Sequence, residues 1–146
     1  MQSRASATWE GDLMNGKGTT TAGNGLFKGA TLSWKGRAET AGAAQTTPEE
    51  LLAAAHASCF SMALSHGLAQ AGKPATKLET SCVVTFGPKA GVGGMEVKSS
   101  ALEVKGNVPG IDDATFKKAA EDAKNGCPLS GVMKNNVELT VQAKLL

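Results

Sequence analysis

The feature that most constrains this chain is the apolar stretch over residues 46–72, TTPEELLAAAHASCFSMALSHGLAQAG, which predicts one long helix. Thr47 is a favourable N-cap, Pro48 fits the first turn, and Glu50 follows Thr47 by three residues, as in a capping box. Gly72 marks the end. The helix is apolar on nearly every side, which predicts burial, and it is too short and too rich in Ala, Ser and His to indicate a membrane span.

The rest of the chain indicates short strands arranged in hairpins. Turn residues and period-two alternation predict a second helix that starts at Asp112 or Asp113 and ends in an αL turn at Asn125-Gly126, then a short helical turn over 129–134. We expect the order β-β-β-α-β-β-α-β, an α+β class with mainly antiparallel sheet, and a single domain over residues 1–146. The predicted strands are 5–10, 19–22, 26–34, 77–86, 95–105 (with a bulge near Ser99-Ser100) and 137–145, and 35–45 is a polar loop.

Composition excludes several function classes. A net charge of +2 without a basic run gives no reason to expect a nucleic-acid partner. The first residues, MQSRASATWEGD, lack the apolar region of a signal peptide, and no membrane association is expected. Three cysteines without CxxC or zinc-finger spacing argue against a secreted disulfide scaffold. We therefore expect a cytoplasmic protein.

Two cysteines occupy unusual positions. Cys59 lies in the middle of the long helix, rigid and shielded, whereas Cys127 lies between a helix-ending Gly126 and Pro128 in a short loop that can move. The negative end of a helix does not help a thiol to ionise, so Cys127 suits a resolving thiol better than a nucleophile. Spacing alone leaves a redox pair and two structural thiols equally open. Cys82, on the apolar face of its strand, is expected to pack as a small hydrophobe.

A buried Cys59 needs a cation in order to ionise, and Arg37 is the candidate. A carboxylate would have to hold the arginine, and Glu49 is available because Glu50 serves the capping box. Glu49 and Cys59 are ten residues apart on one helix, roughly 15 Å, so they cannot touch within one chain. A shared site therefore predicts a homodimer. The alternative is that Arg37 is a solvated loop charge and Glu49 compensates the helix start.

Histidines offer further alternatives. His56 precedes Cys59 by one helical turn, so a Cys-His hydrolase is conceivable, although a satisfied core or interface histidine is the commoner role. His66 is expected to pack. A zinc site from Cys59, Cys127 and a histidine is supported by composition only, and we expect no metal.

Three segments carry a family resemblance: WEGDLMNGKGT, TPEELLAAAHASCFSMALS and VPGIDDATFKKAAEDAKNGCPLSGVM. They resemble the OsmC/Ohr family of organic hydroperoxide reductases, and the second is closer to the OsmC branch. The resemblance implies a peroxidatic Cys59, a resolving Cys127, a catalytic Arg37 and a Glu49 that holds this arginine. It also implies an intertwined homodimer in which sheets wrap two long central helices, with sites at the subunit interface.

The same resemblance implies a mechanism without metal, haem or flavin. Cys59 would reduce organic hydroperoxides, and hydrogen peroxide less efficiently, through a sulfenic acid and a disulfide with Cys127. An external dithiol, implied to be a lipoyl-bearing protein, would reduce the disulfide. An apolar channel for the substrate is one interpretation of four side chains that ordinary core packing also explains: Phe60, Met62, Phe86 and Met133. The alternative function is a non-catalytic stress or interaction protein on the same fold.

Overall fold

The computed structural model describes residues 1–38, 45–91 and 93–146, which form two compact units, Met1–Leu51 and Leu52–Leu146. The boundary between the units falls inside the long helix. The single domain over residues 1–146 stays a prediction.

The first unit contains a three-stranded antiparallel sheet of β1 (Ala5–Glu10), β2 (Lys17–Ala22) and β3 (Ala30–Leu32). The turn between β1 and β2 is held by Asp12, whose Oδ1 accepts the backbone N–H groups of Met14 and Asn15 at 2.9 and 3.0 Å. The strands are paired in register from Ala5 with Ala22 to Glu10 with Lys17. The sequence therefore predicted the position of this hairpin.

The third strand is shorter than the predicted 26–34. Ser33 ends it, because the Ser33 Oγ accepts the N–H of Gly36 at 3.0 Å and so caps a short helix, α1 (Trp34–Ala38). The predicted loop over 35–45 was thus wrong at its start. Residues 39–44 lie outside the described part of the chain.

The long helix, α2, runs over Pro48–Gln70. The Thr47 Oγ1 accepts the Glu50 N–H at 3.0 Å, as predicted, but the Glu50 carboxylate accepts a hydrogen bond from the Thr46 hydroxyl at 3.0 Å. At the other end Gly72 has a φ of +70°, which only glycine adopts readily. Both helix ends lie within two residues of the positions predicted from these caps.

Helix α2 is not buried all round. Within the second unit its buried face repeats every fourth residue through His56, Phe60, Leu64 and Leu68, whereas other faces are exposed, with Met62 67% exposed. The expectation of general burial was wrong for a single chain, because one sheet and one helix cover only one side. By length and composition α2 could cross a membrane, but core helices of soluble proteins pass the same test.

The second sheet consists of β4 (Lys77–Pro88), β5 (Met95–Asn107) and β6 (Glu138–Leu145), with β5 in the centre. Strands β4 and β5 are antiparallel and β5 and β6 are parallel. The pairing passes from Thr85–Ser99 to Phe86–Val97, so Lys98 is the bulged residue. The predicted bulge near Ser99-Ser100 is thus confirmed, at the residue that precedes Ser99.

Two helices connect β5 to β6. Helix α3 (Asp113–Gly126) is capped by Asp112, which accepts the Thr115 N–H at 2.8 Å, and α4 (Pro128–Met133) follows after one residue. The predicted αL ending at Asn125-Gly126 was wrong. Cys127 still donates its N–H to the Ala123 carbonyl at 2.8 Å, and Pro128 then holds Cys127 extended, at φ −67° and ψ 126°.

The core of the second unit lies where α2 and α3 cover β5. A Cβ on Gly106 of β5 would lie 2.4 Å from the ring of Phe116 in α3, so only glycine lets this helix approach the strand so closely. The buried apolar residues of this core are Phe60, Leu64, Leu68, Leu102, Val104, Val108, Phe116, Ala120, Ala123 and Cys127. As a result of this packing, Cys127 at the junction between α3 and α4 lies in the protein interior.

Candidate functional site

The structure brings Cys59 and Cys127 together. Cys59 is half-buried on α2, and Cys127, at the junction of α3 and α4, is 1% exposed. Both are free thiols, and Cys59 packs against the buried cluster that contains Cys127, close enough for Cys127 to raise the pKa of Cys59. Two neighbouring thiols can form a disulfide after one member is oxidised.

The backbone of Leu129 also takes part in this pair. Burial raises the pKa of Cys59 above its usual value, the N–H of Leu129 lowers that pKa, and the neighbouring Cys127 raises it again. Leu129 lies in the first turn of α4, where backbone N–H groups have no partner inside the helix. Sequence reasoning missed this donor. The available signal was the Pro128 that starts a helix directly after Cys127.

Arg37 and Glu49 form a bidentate ion pair in the first unit. The Arg37 Nη2 lies 2.7 Å from the Glu49 Oε1, and its Nε lies 3.2 Å from each carboxylate oxygen. Arg37 comes from α1 and Glu49 from the first turn of α2. Such a fork fixes the orientation of the guanidinium more strictly than a single contact does.

Glu49 and Cys59 stand on the same continuous helix, ten residues apart. At 1.5 Å per residue the separation along the axis is roughly 15 Å, so the Glu49 carboxylate does not reach the thiol of its own chain. Each unit thus contains one grouping: the ion pair of Arg37 with Glu49 in the first, and the thiol pair with Leu129 in the second.

A cleft of about 320 Å³ lies beside Arg37 in the first unit. Its walls are mostly apolar and include both tryptophans of the protein, which come from β1 and from the start of α1. Sequence reasoning missed this cleft, although two tryptophans in an aromatic-poor chain were a usable signal. The residues that line it are Trp9, Leu13, Leu32, Ser33, Trp34, Arg37, Thr46 and Pro48.

The four residues predicted to bind substrate differ widely in exposure within the second unit. Phe60 is fully buried in the core and Met133 is buried, whereas Met62 is largely exposed and Phe86 is half-buried. Phe60 and Met62 are two positions apart on a helix and so face nearly opposite directions. A role of these residues in substrate binding stays a prediction.

His56 is fully buried between two serines. Its Nδ1 lies 2.8 Å from the Ser100 Oγ on β5, and its Nε2 lies 2.9 Å from the Ser130 Oγ on α4. Burial lowers the pKa of His56, so the ring is neutral at neutral pH. Because both ring nitrogens already have serine partners, His56 is not placed to act as the base of a Cys59-His56 hydrolase.

Cys82 adjoins the same buried group. Its Sγ lies 3.2 Å from the Ser100 Oγ and 3.8 Å from the His56 Nδ1. Burial raises the pKa of Cys82, and the contact with Ser100 lowers it in part. Cys82 therefore stays protonated and packs as expected, with a weak polar contact in addition. Among residues 1–38, 45–91 and 93–146, no group of three His, Cys, Asp or Glu side chains could hold a metal ion.

Comparisons with known proteins cover nearly the whole chain. Residues 40–142 match the family model "OsmC-like protein". The chain is 40% identical over 141 residues to the peroxiredoxin OsmC of Escherichia coli, covering 97% of this chain and 96% of that protein. It is 30% identical over 102 residues to an organic hydroperoxide resistance protein of Xanthomonas axonopodis, covering 69% of this chain and 68% of that protein.

The solved structures agree on the fold. The organic hydroperoxide resistance protein OhrB of Bacillus subtilis superposes with a TM-score of 0.76 at 24% identity, covering 97% of this chain and 98% of that one. The two sheets and the α+β order described above are thus those of an Ohr/OsmC-like fold. With the family model and the Escherichia coli relative, this shows that the chain belongs to the OsmC family.

Proposed function

We propose that this protein reduces organic hydroperoxides to alcohols, with Cys59 as the peroxidatic thiol and Cys127 as the resolving thiol. A thiol-dependent peroxidase is the enzyme class that follows from 40% identity to a peroxiredoxin over nearly the full length. The observation that carries the finer proposal is that Cys59 packs against the buried cluster that contains Cys127, beside the Leu129 N–H.

The reaction begins with the Cys59 thiolate. It attacks the outer peroxide oxygen, the O–O bond breaks, and the departing alkoxide takes a proton to become an alcohol, which leaves a sulfenic acid on Cys59. The Cys127 sulfur then attacks the Cys59 sulfur, and water leaves as the disulfide forms. An external dithiol reduces this disulfide by exchange. We propose a lipoyl-bearing protein as this dithiol, because the family resemblance implies one.

The thiolate requires more support than the second unit supplies to Cys59. Burial raises its pKa, and the Leu129 N–H offsets only part of this effect. Arg37, oriented by Glu49, is the proposed cation. Because Glu49 lies about 15 Å from Cys59 along α2, we propose that the ion pair of one subunit serves the thiol pair of the other.

A homodimer follows from this assignment. Its interface would cover the exposed apolar faces of α2, which include Ala54, Ala55, Met62 and Ala69. Exposed apolar surface of this kind commonly marks an interaction site. We further propose that the cleft of Trp9 and Trp34 receives the organic part of the hydroperoxide beside Arg37, which favours organic hydroperoxides over hydrogen peroxide. A cytoplasmic location, without nucleic acid or membrane partners, belongs to the same proposal.

One observation favours the alternative of a non-catalytic stress or interaction protein on this fold. The pKa of Cys59 is raised by burial, as in an inert packing thiol.

Mass spectrometry separates the two functions. The reduced protein and Cys127→Ser each receive one equivalent of cumene hydroperoxide, followed by intact mass and peptide mapping. The peroxidase predicts a Cys59–Cys127 disulfide in the wild type and an oxygen adduct on Cys59 in the variant. Unchanged masses after prolonged exposure would leave the non-catalytic protein as the answer.

A further inference from the structure

The proposed mechanism makes no use of the buried group formed by His56, Ser100 and Ser130. This group joins α2, which carries Cys59, to α4, which follows Cys127 directly. His56 lies on α2, and its Nε2 bonds to Ser130 on α4 at 2.9 Å. His56, Ser100 and Ser130 are all buried, and no buried side-chain nitrogen or oxygen in the described residues lacks a hydrogen-bond partner. A fully satisfied polar network in a core fixes the relative position of the elements that it joins.

Two residues of α2, one helical turn apart, contact α4 or the residue that precedes it. At His56 the contact is the hydrogen bond to Ser130, and at Cys59 it is the Leu129 N–H and the Cys127 thiol. Residues three apart lie on the same helix face. Leu129 and Ser130 are neighbours, so a displacement of Ser130 also displaces the N–H that lies at Cys59.

The rest of the network anchors His56 itself. The Nδ1 bonds to Ser100, which lies in the central strand β5. The neutral ring donates from one nitrogen and accepts at the other, and a serine hydroxyl can serve either role, so both tautomers are satisfied. His56 therefore links α4 to the centre of the sheet as well as to α2.

We propose that His56 is a positioning residue for the thiol pair, holding α4 through Ser130 so that Cys127 and the Leu129 N–H stay at Cys59. The role of His56 in a catalytic cycle rests on the proposed function, but the step that His56 governs is disulfide formation. In that step the Cys127 sulfur displaces hydroxide from the Cys59 sulfenic acid, and the hydroxide leaves as water with the thiol proton. Without the link to Ser130, α4 samples other positions and the two sulfurs meet less often.

The expected change in the rate of disulfide formation follows from the strength of one hydrogen bond. A net hydrogen bond shifts an equilibrium by about fivefold. Loss of the link to Ser130 should therefore slow formation of the Cys59–Cys127 disulfide by about fivefold. It should also move the alkylation profile of Cys59 to higher pH, because the Leu129 N–H is held less firmly at the sulfur.

The test compares two serine variants that each remove one partner of His56. Ser130→Ala breaks the link to α4, whereas Ser100→Ala removes an equally buried hydroxyl from β5. Disulfide formation is followed with diamide, which takes two hydrogens from the Cys59 and Cys127 thiols to become a hydrazine. It is followed separately with cumene hydroperoxide, and thermal unfolding of both variants measures their stability.

We expect slower disulfide formation and a shifted iodoacetamide profile of Cys59 in Ser130→Ala, and values nearer to the wild type in Ser100→Ala, because that variant keeps the contact from His56 to Ser130. His56→Gln, whose amide can replace the Nε2 contact, should keep faster disulfide formation than His56→Asn, whose shorter amide replaces the Nδ1 contact. Equal rates in Ser130→Ala and Ser100→Ala, or no diamide-driven disulfide in the wild type, would overturn the proposal.

The two oxidants separate this inference from the proposed function. If cumene hydroperoxide oxidises no thiol but diamide shows the selective loss in Ser130→Ala, the peroxidase fails and the positioning role stands. If the hydroperoxide yields the disulfide at the same rate in all variants, the peroxidase stands and the positioning role is wrong.

Discussion

Replacement of Glu49 by Gln tests the ion pair with the smallest change of shape. The substitution removes one charge from a fork in which Arg37 makes three contacts of 2.7 to 3.2 Å. The two side chains are 31% and 10% exposed. The pair therefore lies between exposed pairs, which contribute 0 to about 1 kcal/mol, and buried pairs, whose disruption costs about 3 to 5 kcal/mol. We expect the substitution to lower the free energy of unfolding by about 2 kcal/mol.

Tryptophan fluorescence is the natural assay, because Trp9 and Trp34 both line the cleft that Arg37 borders. For a chain of this length, 2 kcal/mol corresponds to a fall in Tm of about 4 to 8 °C. Protein concentration must be held constant, since a dimer couples stability to concentration. The matched control is Glu50→Gln, whose carboxylate bonds to the Thr46 hydroxyl at the surface, with an expected change below about 0.5 kcal/mol.

The same pair of variants tests catalysis. If Glu49 orients the catalytic arginine, the Glu49→Gln variant loses rate in the first oxidation of Cys59, measured as thiol loss under excess hydroperoxide. The Glu50→Gln variant keeps that rate. Equal stability and equal rates in the two variants would refute the reasoning, because the fork would then contribute neither structure nor orientation.

Three further predictions follow. Arg37→Lys keeps the charge but loses the fork, so peroxidase activity should fall at least tenfold while far-ultraviolet circular dichroism is unchanged; full activity would show that charge alone suffices. Because the pKa of His56 is lower in the folded than in the unfolded chain, the unfolded chain binds the proton more tightly. The contribution of neutral His56 to the free energy of unfolding is therefore fully present above about pH 6.5 and is lost as the pH falls through the pKa of the folded state. The groups around the ring are the hydroxyls of two serines and the thiol of Cys82. The urea concentration at the unfolding midpoint of the wild type should therefore decrease when the pH is lowered below 6.5. A pH profile identical to that of His56→Gln would contradict this. Gly106→Ala should cost about 1 to 3 kcal/mol in urea unfolding, because its Cβ would meet the ring of Phe116, whereas Gly131→Ala, with open space around it, should be neutral or slightly stabilising.

Local signals predicted much of this fold. The Thr47 cap and Gly72 located the long helix, and period-two alternation located the strands on either side of the second hairpin. The third strand was predicted too long because alternation continues past Ser33, whose hydroxyl instead caps a helix. Whether Ser33 continues the strand or caps a helix depends on where the chain turns, and the local alternation of residues does not predict that position.

The site was predictable only in part. The resemblance named both cysteines, Arg37 and Glu49, and the structure shows which of them are in contact. The Leu129 N–H and the link from His56 to Ser130 depend on how α4 packs against α2, across 74 residues of sequence. No spacing rule reports such a contact, because it is set by the packing of helices that are distant in sequence.

Cys127 was expected to be mobile, but its backbone is held on both sides. Its N–H bonds to Ala123 at 2.8 Å, and its carbonyl accepts the N–H of Gly131 at 3.0 Å. In the proposed cycle, the two sulfurs of the disulfide therefore differ in their accessibility to an incoming reductant. The Cys127 sulfur is enclosed, so an external thiol meets Cys59 first and releases Cys127 as the leaving group. Electrons would thus enter through the same sulfur that had received the oxygen.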